Sequence, residues 1–228
     1  MKLGGLQKLT LLDFPGKTAC TVFTEGCNFR CPFCHNASLV KQRAAELPTE
    51  EFFAFLKKRQ GLLDGVCVTG GEPLLQPDIE DFLSEIKSLG YAVKLDTNGS
   101  FPDKLIEIVE NGFCDYVAMD IKNSKSKYLA TAGVTRDILS DIEKSVDFLL
   151  SDAIDYEFRT TVVSPYHDFS DFYEIGAWIK GAKKYFLQSF IDSGDLLSDG
   201  MKAWKKEDME AASLILQGFV PNVNIRGI

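Results

Sequence analysis

Six short apolar segments, each followed by an amphipathic helical segment, constrain the fold of this chain more than any other feature. The predicted strands are TACTVFT, GVCVTG, YAVKLDT, DYVAMDIK, YEFRTTVV and YFLQSF, at residues 18–24, 65–70, 91–97, 115–122, 156–163 and 185–190. Apolar strands that alternate with amphipathic helices are typical of a parallel sheet covered by helices. Six such units are too few for a closed eight-stranded barrel, which leaves an open partial barrel or a doubly wound sheet.

The helical segments follow the strands along the whole chain. The clearest is residues 78–89, where Ile79, Phe82, Leu83 and Ile86 are spaced as one face of a helix. Further helices are predicted at residues 49–60, 102–111, 137–150, 170–181 and 203–217. With no repeat and no linker, we predict one domain over residues 1–228. It has an N-terminal extension at 1–17 and a C-terminal helix and tail at about 200–228.

Polar residues gather where the predicted strands end. They are Thr69-Gly70-Gly71-Glu72-Pro73 after the second strand, Asp96-Thr97-Asn98-Gly99 after the third, Asp120-Ile121-Lys122 after the fourth, Arg159 on the fifth and Gln188 on the sixth. The carboxyl ends of parallel strands meet at one edge of the sheet, and function gathers there in both candidate folds. We therefore expect one site at this edge.

The loop after the first strand, GCNFRCPFCHN at residues 26–36, carries Cys27, Cys31 and Cys34. Three thiolates in so short a loop are typical of a metal site. A zinc site needs a fourth ligand, and the nearest candidate, His35, directly follows Cys34, where both side chains reach one ion only with strain. The other interpretation is a four-iron cluster with three protein ligands and one open iron, which would admit a substrate.

The other three cysteines, Cys20, Cys67 and Cys114, have apolar neighbours, and we predict that they pack in the core. The net charge of −8 argues against nucleic acid as a partner. The chain has no apolar run of about 18 residues, which argues against a membrane span. It also shows no signal peptide, so we expect a cytoplasmic protein.

Asp96 and Asp120 end consecutive predicted strands, so we expect their carboxylates to lie close together. Two like charges raise each other's pKa unless a cation lies between them. A plain turn at residues 96–99 and a helix cap at Asp120 are the alternatives.

The spacing C-x3-C-x-aromatic-C, formed by Cys27, Cys31, Phe33 and Cys34, resembles the signature of the radical S-adenosylmethionine (SAM) enzymes. The resemblance implies an open, partial (β/α)6 barrel and a [4Fe–4S] cluster whose fourth ligand is S-adenosylmethionine. It also implies reductive cleavage of that cofactor to a 5′-deoxyadenosyl radical, which abstracts hydrogen. Phe33 would shield the cluster or stack on a bound base.

The same resemblance assigns roles to the strand-end residues. The segment with Gly70, Gly71 and Glu72 is implied to receive the methionine amino group. In the similar pyruvate formate-lyase activating enzymes, segments matching Asp96, Thr97, Asp120 and Lys122 contact the cofactor and hold a monovalent cation. Arg159 matches in the same way. Those enzymes carry a histidine after the sixth strand, where this chain departs from the pattern and has Gln188 as a substitute.

Residues 4–36, which read GGLQKLTLLDFPGKTACTVFTEGCNFRCPFCHN, resemble activating proteins of the anaerobic ribonucleoside-triphosphate reductase. The resemblance implies abstraction of hydrogen from a glycine of that large partner, with electrons from a donor such as flavodoxin or ferredoxin. Three alternatives stay open: another glycyl radical enzyme such as pyruvate formate-lyase as target, a small-molecule substrate, and a zinc-binding or electron-transfer module.

Overall fold

The structure, a computed structural model, describes residues 1–228 and divides into two units. The first unit consists of Met1–Asn28, Ser38–Thr97 and Phe101–Val117, and the second of Phe29–Ala37, Asn98–Ser100 and Ala118–Ile228. The fifth strand begins in the first unit and ends in the second. None of the helices is both long enough and apolar enough to cross a membrane.

The first unit contains three neighbouring parallel strands and one antiparallel strand. Its elements are β1 (Leu3–Thr10), β2 (Ala19–Thr24), α1 (Ala37–Val40), α2 (Thr49–Arg59), β3 (Gly65–Gly70), the 3-10 helix Pro73–Leu75, α3 (Ile79–Ser88), β4 (Ala92–Thr97), α4 (Pro102–Glu110) and the start of β5 (Tyr116–Asp120). Strands β2, β3 and β4 are parallel, and β1 runs antiparallel to β2. Helices α2 and α3 meet through stacked rings of Phe52 and Phe82, whose centroids lie 5.3 Å apart.

The second unit repeats the alternation of strand and helix. Its elements are α5 (Tyr128–Ala132), α6 (Leu139–Leu150), β6 (Tyr156–Ser164), α7 (Phe169–Trp178), β7 (Tyr185–Ser189), β8 (Lys202–Ala203), α8 (Lys206–Gln217) and β9 (Val223–Arg226). Strands β6, β7 and β9 are parallel neighbours, and β8 pairs antiparallel with β6. Helix α7 begins at a capping box in which Asp168 and Asp171 satisfy each other's backbone N–H groups.

The six predicted strands and six predicted helices are confirmed, with ends that differ by at most three residues. The predicted C-terminal tail contains strand β9. Two strands were not predicted: β1, which lies inside the predicted N-terminal extension, and the short β8. The assignment of residues 1–228 to one domain stays a prediction.

Candidate functional site

The start of the cysteine loop packs against the turn that follows β3. The carbonyl oxygen of Gly26 accepts a hydrogen bond from the backbone N–H of Glu72 at 2.9 Å. A Cβ atom on Gly71 would lie 1.9 Å from that oxygen and 3.4 Å from the Cβ of Cys27. Only glycine therefore fits at position 71, and the segment predicted to bind the cofactor touches the residue before the first cysteine.

The rest of the cysteine loop is held inside the second unit. The backbone N–H of Arg30 donates to the carbonyl oxygen of Ala132 at 2.9 Å. Gly133 has φ +66°, and a Cβ there would lie 2.2 Å from the carbonyl oxygen of Arg30. The backbone N–H of Cys34 donates to the carbonyl oxygen of Cys31 at 2.9 Å, which closes a turn between these two cysteines. A glycine directly after the short helix α5 was the sequence signal for this contact.

None of the six cysteines in the chain, including the three in this loop, forms a disulfide bond. Burial raises the pKa of Cys31 to about 11 and also raises the pKa of Cys34, while the nearby Lys122 ammonium opposes both shifts. Thiolates are the ligands that hold iron–sulfur clusters, so the donor chemistry fits a cluster. No three Cys, His, Asp or Glu side chains are gathered closely enough to hold a metal ion. The ligand role of Cys27, Cys31 and Cys34 therefore stays a prediction.

The remaining cysteines lie in the core, as predicted. Cys20 and Cys67 are fully buried, and Cys114 is 5% exposed. Burial raises the pKa of Cys20 and that of Cys114 to about 12, which keeps both thiols protonated near neutral pH.

Glu72 is fully buried and joins the ends of two strands in the first unit. Its Oε1 accepts hydrogen bonds from the backbone N–H of Leu74 at 3.1 Å and from the hydroxyl of Thr97 at 2.8 Å. The first bond caps the 3-10 helix, and the second ties that cap to the end of β4. Gly70 has φ +114°, and a Cβ there would lie 2.4 Å from the backbone nitrogen of Thr24. The turn thus needs its glycines and its glutamate for its own shape.

Asp96 has a cationic partner that the sequence analysis did not predict. The Nζ of Lys94 donates to Oδ1 of Asp96, and the two form an ion pair inside the first unit. The Sγ of Cys67 lies 3.8 Å from that Nζ and 3.7 Å from the same carboxylate oxygen. Lys94 is only 2% exposed, which is unusual for a lysine.

The residues after Asp96 and Thr97 form a well-connected turn. The side-chain oxygen of Asn98 accepts hydrogen bonds from the backbone N–H of Ser100 at 2.9 Å and from its hydroxyl at 2.6 Å. Gly99 has φ +78°, and its carbonyl oxygen accepts the hydroxyl of Ser145 at 2.7 Å. Asn98 and Gly99 therefore match the plain-turn alternative.

Asp120, Lys122 and Arg159 come together in the second unit, as the strand-end pattern predicts. The Nζ of Lys122 lies 3.0 Å from Oδ2 of Asp120, and the Nε of Arg159 lies 2.9 Å from Oδ1. Burial alone would raise the pKa of Asp120, but the two cations hold it well below its usual range. Burial alone would lower the pKa of Lys122, and Asp120 raises it instead. All three groups are therefore charged at neutral pH.

His167, in the loop between β6 and α7, supports this ion-pair group. Its ring is 5% exposed, with Nε2 3.0 Å from the carbonyl oxygen of Lys122 and Nδ1 3.2 Å from that of Val163. Burial lowers the pKa of His167, so the ring is neutral near pH 7. No local sequence pattern indicates this role, because the contact spans 45 residues.

Phe33 and Gln188 both belong to the second unit. Phe33 is 4% exposed, and its ring centroid lies 6.1 Å from that of Tyr166. Gln188 lies on β7, in register with Thr161 on β6 and Arg226 on β9. Their contacts with a cofactor stay predictions.

Residues 21–179 match the radical SAM superfamily. A Methanocaldococcus jannaschii protein assigned as a glycyl-radical enzyme activating enzyme is 30% identical over 99% of this chain and 96% of its own length. The pyruvate formate-lyase-activating enzyme of Clostridium pasteurianum is 31% identical over 64% of this chain and 63% of its own length.

Solved structures share the fold of this chain. The crystal structure of Streptococcus suis SuiB bound to S-adenosylmethionine aligns with a TM-score of 0.71 at 13% identity. The alignment covers 90% of this chain and 49% of SuiB. The predicted fold class, the α/β partial (β/α)6 barrel of the radical SAM type, is confirmed. The family implies a [4Fe–4S] cluster and S-adenosylmethionine. The chain belongs to the radical SAM superfamily and, within it, to the enzymes that activate glycyl-radical enzymes.

Proposed function

We propose that this chain activates anaerobic ribonucleoside-triphosphate reductase by removing a hydrogen atom from one glycine of the reductase, which leaves a glycyl radical. The observation that carries the proposal is the similarity, over 99% of the chain, to a glycyl-radical enzyme activating enzyme. The choice of target comes from residues 4–36, which resemble activating proteins of that reductase.

The cysteine loop would hold the cluster through Cys27, Cys31 and Cys34. When bound, the cluster and S-adenosylmethionine supply the electron and the 5′-deoxyadenosyl radical that removes the hydrogen atom. The protein's part is to hold the loop, and its two anchors are the contact of Gly26 with Gly71 and that of Arg30 with Gly133. Both contacts fix the backbone of the loop.

The turn after β3 would bind the methionine end of the cofactor. Gly70 and Gly71 let this turn pack directly against the backbone of Thr24 and Gly26, where a Cβ would not fit. The carboxylate of Glu72 is bound to Leu74 and Thr97, so we assign it the task of holding this backbone in place. Around the same ligand we place Phe33, Asp96, Thr97, Asp120, Lys122, Arg159 and Gln188.

Charge in the second unit suits an anionic part of the ligand. One carboxylate, Asp120, faces two cations, Lys122 and Arg159, and these three groups sum to one positive charge. A cofactor carboxylate would be attracted to that surplus. We do not include the monovalent cation predicted near Asp96 and Asp120, because both carboxylates already form ion pairs with cations of the protein.

The positions of the remaining cysteines argue against the branches of the family that carry a second cluster. Several activators of glycyl radical enzymes, and many peptide-modifying members, carry a second cluster with C-x2-C spacing. Here Cys20, Cys67 and Cys114 are buried in the core, so they are not available for one. We also propose a cytoplasmic location and a low-potential electron donor such as flavodoxin or ferredoxin.

The target is tested by electron paramagnetic resonance. The anaerobically reconstituted protein, with S-adenosylmethionine and a reductant, is mixed with the reductase or, separately, with pyruvate formate-lyase. We expect a glycyl radical on the reductase alone, and none with the Cys34→Ala variant. A radical on pyruvate formate-lyase alone would refute the target. Cofactor cleavage with no radical on either protein would favour a small-molecule substrate.

A further inference from the structure

Lys94 is a buried cation in the middle of an apolar strand. It lies on β4 between Val93 and Leu95, both fully buried, and is itself 2% exposed. Removing an ammonium group from water is costly unless an opposite charge compensates for it. A lysine at this position therefore needs an anionic partner that offsets the free-energy cost of its desolvation.

That partner is Asp96, two residues further along the same strand. Residues i and i+2 of a strand lie on the same face, so the pairing follows from the strand geometry. The ion pair joins Nζ of Lys94 to Oδ1 of Asp96, whose side chain is 11% exposed. Cys67 is aligned with Lys94 in the parallel register of β3 and β4, and its Sγ lies 3.8 Å from Nζ.

Asp120 is also neutralised within its own unit. Its two carboxylate oxygens pair separately with Lys122 and Arg159, at 3.0 and 2.9 Å. A sodium or potassium ion beside a carboxylate offsets its negative charge, and a cationic side chain can do the same. The charges sum to zero for Lys94 with Asp96 and to one positive charge for Asp120 with its two partners. At Asp96, the Lys94 ammonium therefore already supplies the positive charge that a monovalent cation would bring.

We propose that Lys94 is a positioning residue that takes the place of a monovalent cation at Asp96, so that cofactor binding needs no added sodium or potassium ion. The inference rests on the proposed function, since Asp96 is one of the residues that we place around the cofactor. Lys94 acts through Asp96, whose carboxylate its ion pair holds in place at the end of β4.

The test compares cations at constant ionic strength. The dissociation constant of S-adenosylmethionine from the reconstituted full-length protein is measured in potassium, sodium or choline chloride at about 0.15 M. We expect the wild-type affinity to agree within about twofold in all three salts. Lys94→Met should weaken binding about tenfold or more in choline and recover part of the loss in sodium or potassium. Lys87→Met, which removes the exposed pair with Asp115, is the matched control and should behave as wild type.

A second readout does not depend on cofactor binding. The thermal unfolding midpoint of the protein without cluster or cofactor is measured in the same three salts. The wild-type midpoint should be the same in all three salts. The midpoint of Lys94→Met should be lower, and adding Asp96→Asn to Lys94→Met should restore most of the loss. If Lys94→Met does not fold, two results still test the inference: the cation dependence of the wild-type midpoint and whether the double variant folds.

Two results would overturn the inference. One is a wild-type affinity that rises saturably with sodium or potassium, and the other is a midpoint of the double variant no higher than that of Lys94→Met. If no S-adenosylmethionine binds in any salt, the proposed function fails instead, and the unfolding midpoints still test Lys94.

Discussion

Gly71 lies so close to the carbonyl oxygen of Gly26 that a Cβ at position 71 would be 1.9 Å from it. The contact joins the turn after β3 to the start of the cysteine loop inside the first unit. Since the colliding atom is backbone, the loop itself must move to accept a side chain.

Gly71→Ala should therefore displace the cysteine loop. We expect a loss of about 1 to 3 kcal/mol in the free energy of unfolding, the usual cost of overpacking. Iron content after reconstitution should fall well below that of wild type. Gly5→Ala is the control, because a Cβ at position 5 would meet its nearest neighbour, in Phe23, at an ordinary 3.8 Å. A Gly71→Ala protein with full iron content would contradict the role of this contact.

Cys34→Ala should abolish cluster assembly. Wild type should bind about four iron atoms per chain after anaerobic reconstitution, as a [4Fe–4S] cluster requires. Cys114→Ala also removes a thiol, but from the core, so it should keep full iron content and lose only about 1 kcal/mol of stability. Iron and sulfide analysis with visible absorption measures both. Loss of iron in the Cys114 variant would show that the ligand assignment is wrong.

Arg226→Met should destabilise the C-terminal strand. Arg226 on β9 pairs with Glu157, which is 1% exposed, at 2.8 and 3.1 Å, and its guanidinium lies 3.4 Å from the ring centroid of Phe186. The variant leaves a buried carboxylate without this partner. Because Arg226 itself is 36% exposed, we expect a loss of about 2 kcal/mol, less than for a fully buried pair.

Arg136→Met is the matched control for that measurement. Arg136 is 81% exposed and lies 3.4 Å from Asp141, so its removal should change stability by less than about 0.5 kcal/mol. Denaturant unfolding of both variants tests the difference. Equal effects would mean that the buried carboxylate of Glu157 does not depend on Arg226.

His167 should make the fold sensitive to acid. In the folded protein, burial lowers the pKa of His167 below its ordinary value of 6.5. The unfolded chain therefore binds the proton more tightly. The stability that depends on a neutral ring is therefore complete above pH 6.5 and is lost as the pH falls through the folded-state pKa. The slope contributed by one group is at most about 1.4 kcal/mol per pH unit.

The contribution of His167 is isolated by subtraction. The free energy of unfolding is measured near neutral pH and at about pH 5, within the range where histidines titrate, for wild type and His167→Gln. We expect a smaller acid-induced loss in the variant, because its side chain carries no titrating group. An identical loss in both proteins would exclude a contribution from His167.

Periodicity predicted much of this fold because the packing of a strand or helix follows from local residue order. The segment at 78–89 is an example, with Ile79, Phe82, Leu83 and Ile86 all buried in α3. Strand β1 was missed because LGGLQKLT contains two glycines and three consecutive exposed positions, and its strand state depends on pairing with β2.

The candidate site was likewise predictable from the sequence only in part. The cysteine spacing and the position of Asp120 and Lys122 at the end of one strand were visible locally. The partnership of Lys94 with Asp96, and the support that His167 gives to Lys122, depend on burial and on contacts between distant segments. No single-sequence pattern separates a buried lysine from one on the surface.

The most direct test of the central claim is the formation of 5′-deoxyadenosine. The protein is reconstituted anaerobically with iron and sulfide, then mixed with dithionite and S-adenosylmethionine, and the products are separated and quantified. We predict that wild type and Cys114→Ala form 5′-deoxyadenosine and that Cys34→Ala forms none. A well-formed cluster that binds no S-adenosylmethionine and yields no 5′-deoxyadenosine would contradict the account, and the three cysteines would then need another role.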